Sequence, residues 1–250
     1  MQPIRRLWPQ LTIVLISTLT TIIWFSSGQL IAVGEEGIWM YNPKITLGHY
    51  LHFWNEIGLG TSDPFFLPRV THIAVLYVVN LFLTNWQAQA LSFWFLITAG
   101  TLGFFFLLRR FLIVNVWILT LAAGFYFFNL YSLSQIWGRY ISAGIFTWAF
   151  LPWFLWTWSS WLDSGRRRYL AAFILLNLVF ANAFGSPVFI FTFWIPAGLY
   201  SLLRIYASPA RIIIRSLLGG ACWLVLNLTW LYPFAVTSGR RVEHSSSIHR

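Results

Sequence analysis

Seven apolar stretches, each 16 to 23 residues long and nearly free of charge, occupy residues 11–33, 88–108, 111–130, 141–161, 169–184, 188–203 and 212–232. Their length is the constraint, because a helix rises ~1.5 Å per residue and ~20 apolar residues cross a hydrocarbon layer ~30 Å thick. Inside such a layer the backbone must satisfy its own hydrogen bonds, which runs of this length do as helices. The expected fold class is all-α: a polytopic membrane protein of about seven transmembrane helices, with interfacial helices in a large first extracytoplasmic loop over residues 32–87. Composition agrees, at 58% hydrophobic and only 9% charged, where a water-facing surface carries about a quarter of its residues charged. The sixteen tryptophans are expected mostly at lipid-facing and interfacial positions.

A net charge of +10 would suit nucleic acid if it formed one stripe, but the basic residues arrive as small clusters between apolar runs. That is the pattern of cytoplasmic loops, and no nucleic-acid partner is expected. The clusters also orient the chain. Residues 70–84, "VTHIAVLYVVNLFLT", are apolar but short for a span. If they do not cross, Arg5, Arg6, Arg109, Arg110, Arg166, Arg167, Arg168, Arg204, Arg211 and Arg215 face the cytoplasm, ten of the sixteen Lys and Arg residues. If they do cross, the count inverts to six inside and ten outside. The positive-inside rule selects the first alternative, with the N-terminus cytoplasmic in a bacterial plasma membrane. Arg5 and Arg6 precede an apolar run too long for a signal peptide, so residues 11–33 are expected to be retained as the first span. Cys222 is the only cysteine, which excludes an intrachain disulfide. Asn115, Asn129, Asn177, Asn182 and Asn227 are expected to hydrogen-bond between helices.

Four of the six acidic residues, Glu35, Glu36, Glu56 and Asp63, fall in "GEEGIWMYNPKITLGHYLHFWNEIGLGTSDP", residues 34–64. No phosphate-binding loop, dinucleotide fingerprint or nucleophile elbow occurs, so this segment is the strongest site candidate. A carboxylate at the outer mouth of a membrane cavity serves as general base toward a hydroxyl, and cations nearby stabilise a leaving phosphate. Glu35 and Glu36 follow directly on the first span and are the candidate catalytic pair. Lys44, Arg69 and Arg139 are the candidate partners of a donor phosphate. Leu47, Tyr50, Leu51 and Trp54 recur at helical spacing, which predicts a short interfacial helix. His49, His52 and Glu56 on another of its faces are weak candidate ligands for a divalent metal, a spacing that any amphipathic helix also produces.

Further motifs run in order: Asn42-Pro43, Trp54-Asn55, Leu67-Pro68, "NWQAQAL" at 85–91, "LLRR" at 107–110, "WGRYISAG" at 137–144 and "AFLPWFLW" at 149–156. Together they resemble the N-terminal membrane domain of mycobacterial α-(1→3)-arabinofuranosyltransferases, of the GT-C glycosyltransferase class, over most of residues 1–235. The resemblance implies an enzyme that takes a sugar, arabinofuranose in that family, from a polyprenyl-phosphate donor to a glycan or glycolipid acceptor outside the membrane. It also implies a catalytic acid in the first extracytoplasmic loop. This chain has Glu where the family carries Asp. It ends in the polar stretch 236–250, an expected extracytoplasmic tail, whereas family members are longer, so a fragment or a shortened homologue is expected. Two other readings stay open. One is a transporter or lipid flippase, against which stands the lack of a deep ionisable group within a span; the other is a non-catalytic assembly subunit.

Overall fold

A computed structural model of the chain describes residues 7–31, 42–52, 54–55, 61–62, 64–130, 132, 143–185, 187–206 and 208–248. Its helices are α1 (Trp8–Trp24), α2 (Pro43–Tyr50), α3 (Val70–Val79), α4 (Asn85–Phe111), α5 (Val116–Phe127), α6 (Ala143–Ser164), α7 (Arg167–Val179), α8 (Pro187–Ile205) and α9 (Pro209–Ile248). Single 3-10 segments, Pro64–Arg69 and Ala181–Phe184, precede α3 and α8. Among the described residues the only extended structure is a two-residue antiparallel ladder, β1 (Trp54–Asn55) against β2 (Thr61–Ser62).

Among the described residues three helices are long and apolar enough to cross a membrane: Asn85–Phe111, Val188–Ile205 and the Pro209–Val236 part of α9. At 22 residues α6 keeps the expected length, whereas the remaining apolar helices fall short of theirs. The 10 residues of α3 reach only ~15 Å, half of a bilayer core, as its short apolar run implied. The spans expected over 111–130 and 169–184 are helical for only 12 and 13 residues. The first is cut short because α4 continues to Phe111, after which Asn115 caps α5 by accepting from Trp117 N–H at 2.9 Å. The second gives way to the buried 3-10 turn. Conversely, α9 runs on as helix to Ile248 through the stretch expected as a polar tail.

The helix ends follow from local chemistry. At α4, Gln87 reaches back to accept from Thr84 N–H at 2.9 Å while Thr84 caps the first turn, a capping box. Pro43 at the first position of α2 sits behind Asn42, whose side chain accepts from Ile45 N–H. Gly165, at φ +63°, closes α6 in the left-handed region open to glycine. Arg215 completes that end by donating to the carbonyls of Leu162 at 2.5 Å and Asp163 at 3.2 Å. Its place in the ninth helix therefore serves the sixth, where a cation opposes the negative helix terminus.

Central to the packing is α6, which lies against α4 over its length and also contacts α7, α8 and α9. The interface with α4 is set by glycine and tryptophan: a Cβ on Gly100 would stand 2.5 Å from the Trp148 ring, and one on Gly103 2.6 Å from Trp153. Trp158 presses on Gly219 of α9 in the same way. Small residues that admit a large partner bring helix axes close where lipid supplies no hydrophobic drive. Trp153 Nε1 also donates to Ala99 O at 2.7 Å, Trp158 Nε1 to Ser201 Oγ at 3.1 Å and Trp161 Nε1 to Arg215 O at 2.9 Å. The lipid-facing role expected for the tryptophans is thus corrected: among the described side chains only Trp8 and Trp117 are exposed. The reason is that an indole offers both a large ring and one donor, so it fills a groove and bonds across it.

The asparagines are corrected too. Asn177 donates to Phe173 O, Asn129 to Tyr126 O, and Asn227 both donates to Trp223 O and accepts from Trp230 Nε1, all within their own segments. Tyr126 bonds between helices instead. Pro152 has no N–H to offer Trp148 O, and Tyr126 OH donates to that carbonyl at 2.7 Å.

One end of the bundle gathers the cations. Asp163, at the end of α6, pairs with Arg110 of α4 and with Arg204 of α8 at 2.8 Å and accepts from Tyr200 OH at 2.8 Å. Arg109, Arg166, Arg167, Arg168, Arg211 and Arg215 flank the same helix ends. Eight of the ten arginines grouped by the sequence therefore lie together, with Asp163 among them.

Candidate functional site

The opposite end holds the candidates read from the sequence, in part. Glu35, Glu36, Glu56 and Arg139 lie outside the described residues. Lys44, one residue into α2, is exposed, as are His49 and His52. Helix α2 ends at Tyr50, and His52 just beyond it has its Nδ1 2.7 Å from Gly48 O. Among the described residues no three His, Cys, Asp or Glu side chains converge on a common point. Arg69 ends the first 3-10 segment with its Nε 3.1 Å from where a Cβ on Gly185 would stand. The absence of a side chain at Gly185 leaves room for that guanidinium beside the second 3-10 turn. Arg69 is therefore built into the bundle, whereas Lys44 is on its surface.

Two polar residues that sequence reasoning passed over do more to shape this end. Gln89, fully buried in α4, accepts from Ile31 N–H at 2.9 Å and donates to Ile31 O at 2.7 Å. This two-way amide pair ties the last described residue of the α1 exit to α4 across 58 positions. Glu35 and Glu36 follow Ile31 by four and five residues, so an extended chain carries them no more than ~18 Å from the tie. Replacing Gln89 with Met is expected to lower stability by ~1–3 kcal/mol, because Ile31 loses partners for both backbone groups. Thermal unfolding in detergent measures it, and a midpoint equal to wild type would show that the tie holds nothing.

The second is His72, on α3. A cavity of about 370 Å³ lies between α3, α4, α6 and α7, lined by Thr71, His72, Val75, Ala88, Leu91 and Phe146 among others. Its volume is within the ~300–1,000 Å³ of small-molecule sites. The walls are almost wholly apolar, and Val75, Leu91, Phe95 and Val179 at its margin are exposed, so it opens sideways onto the apolar surface of the bundle. His72 packs edge-on against Phe146 with ring centroids 4.6 Å apart, and its Nε2 is buried without a partner among the described residues. Burial lowers its pKa to about 4, so the ring is neutral at neutral pH. The 3-10 turn packed against α3 carries Asn182, whose amide is likewise buried and unpartnered among the described residues. Such buried polar atoms mark where a ligand or water completes the bonding.

No protein-family model, curated protein or solved structure matches the chain. The signal for Gln89 and His72 was present in the sequence as single polar residues within apolar runs, which are costly in a membrane unless partnered or used. What they touch could not be read there, since their partners lie far along the chain or on other helices.

Proposed function

We propose that this chain is a GT-C-like membrane glycosyltransferase domain, moving a sugar from a polyprenyl-phosphate donor to a glycan or lipid acceptor on the extracytoplasmic side. The observation that carries the reading is the adjacency of two features on α4. The apolar cavity is lined by Ala88 and Leu91, and between them Gln89 holds the chain just ahead of its carboxylate pair. A cavity open to lipid accommodates part of a polyprenyl chain, and Arg69 at the same end supplies a cation for its phosphate. In the reaction Glu35 or Glu36 takes the proton of the acceptor hydroxyl as its oxygen bonds to the anomeric carbon. The bond from that carbon to the phosphate oxygen breaks, and the polyprenyl phosphate leaves against Lys44, Arg69 and Arg139.

The same reading assigns seven crossings, with α3 lying at the interface. The gathering of eight arginines at one end supports that end as cytoplasmic. Buried irregular backbone at Ala181–Phe184 is tolerated within a membrane when protein surrounds it, which allows α7 to complete a crossing. The test is transfer of radiolabelled sugar from synthetic decaprenyl-phosphoryl arabinose, mannose, glucose or galactose to matching oligosaccharide acceptors, with the protein in nanodiscs. Elongated acceptor is expected with one donor. No elongation above empty nanodiscs with any of the four overturns the reading; movement of the donor across a sealed vesicle without transfer would establish a lipid translocator instead.

A further inference from the structure

At the arginine-rich end a second cavity, of about 380 Å³, opens between α4, α6 and α7 and is lined by Phe106, Arg109, Arg110, Trp156, Ser160 and Tyr169. We infer that it binds the phosphate-bearing headgroup of an anionic phospholipid. The first argument is charge. Asp163 pairs with Arg110 and Arg204, while Arg109 in the cavity wall makes no hydrogen bond or ion pair among the described residues. Arg168 adds a further cation, stacked 4.8 Å over the Tyr169 ring with its NH2 donating to Tyr169 OH at 3.2 Å.

The second argument is unmet bonding. Ser160 Oγ and Arg110 Nε are buried without a partner among the described residues, and a headgroup oxygen entering beside them supplies acceptors. The third argument separates a lipid from a free phosphate. The cationic groups share the cavity with the rings of Phe106, Trp156 and Tyr169, and the chain next to it, Phe111, Leu112, Ile113 and Val114, is exposed and apolar. A molecule that joins a phosphate to acyl chains meets both surfaces, and basic pockets between helices at the cytoplasmic face take such headgroups. This site is further along α4 than the cavity beside His72, whose last lining residue on that helix, Leu96, precedes Phe106 by ten residues or ~15 Å, and it does not depend on the transferase reading.

The experiment titrates the purified full chain in dodecyl maltoside with dioleoyl phosphatidylglycerol, dioleoyl phosphatidylcholine and inorganic phosphate, reading bound copies by native mass spectrometry. One phosphatidylglycerol is expected to be held at least tenfold more tightly than phosphatidylcholine, whose choline cancels the headgroup charge. Arg109→Gln is expected to weaken it about tenfold, the loss of one charge-assisted contact, and Arg109→Lys to restore most of it. Arg167→Gln removes the same charge outside the cavity and is expected to stay within twofold of wild type. Equal weakening by Arg167→Gln and Arg109→Gln would mean only a general surface potential, and overturns the site. So does unchanged binding in Arg109→Gln, or retention of inorganic phosphate with no preference for phosphatidylglycerol.

Discussion

Replacing both carboxylates, as Glu35→Gln/Glu36→Gln, is expected to cut sugar transfer by ~10²- to 10⁴-fold, the typical loss of a positioned general base. Each single variant reports which residue is the base: one is expected to fall by nearly the full factor and the other to keep most activity, with Glu36 favoured because it lies further from the end of the first span. Expression and melting temperature are expected to stay at wild-type values, since neither Gln removes an apolar contact. Arg139→Ala is expected to raise the KM for donor more than it lowers kcat, because a cation facing the phosphate contributes to binding in the ground state and the transition state alike. Full transfer by the double variant would remove the carboxylates from the mechanism and leave residues 34–64 as a solvated connector.

Gly100→Val is expected to cost ~3 kcal/mol or to abolish folded yield, at the upper end of overpacking substitutions. The new Cβ alone meets the Trp148 ring at 2.5 Å and the Ala149 Cα at 3.0 Å, and Val adds two methyl groups beyond it. Trp148 has no room to retreat. Its ring is stacked on Tyr126 at 4.9 Å, with Phe127 at 6.1 Å and Tyr126 stacked in turn on Phe104 at 4.3 Å. The clash must therefore push α4 away from α6, the most extensive helix contact in the structure. Gly124→Ala is the control, because nothing lies within 4 Å of its Cβ position; there the helix propensity of Ala predicts a gain of up to ~1 kcal/mol. Thermal unfolding of both in detergent decides the matter. Equal midpoints for Gly100→Val and wild type would mean that α4 and α6 do not pack through this seam.

Local rules carried the reading of helices. Apolar runs foretold α4, α6, α8 and the apolar part of α9, and the spacing of Leu47, Tyr50 and Leu51 foretold the short helix α2, because helical periodicity involves residues within four positions of one another. The arginines at the ends of α4 and α8 and the starts of α7 and α9 also followed from sequence, since charge cannot sit within a hydrocarbon layer without cost. The candidate site was legible only as a segment: the sequence concentrates its acids near Glu35 and Glu36, while the lipid-sized cavity beside Gln89 had no signature in it.

What the amino-acid sequence determined by itself is thus the apolar, helical character of the chain and the gathering of its arginines at helix ends, both of which depend on composition and on neighbours in the chain. The tertiary structure alone decided which polar atoms meet. Gln89 ties Ile31 from 58 residues away, Arg215 caps a helix that ends some 50 residues before it, and Trp148 faces Gly100 across an interface. Those contacts depend on the angle and depth at which apolar helices settle against one another, and that is set by the shapes of many side chains at once. An apolar run specifies that a helix will be buried or lipid-facing; only packing specifies against what.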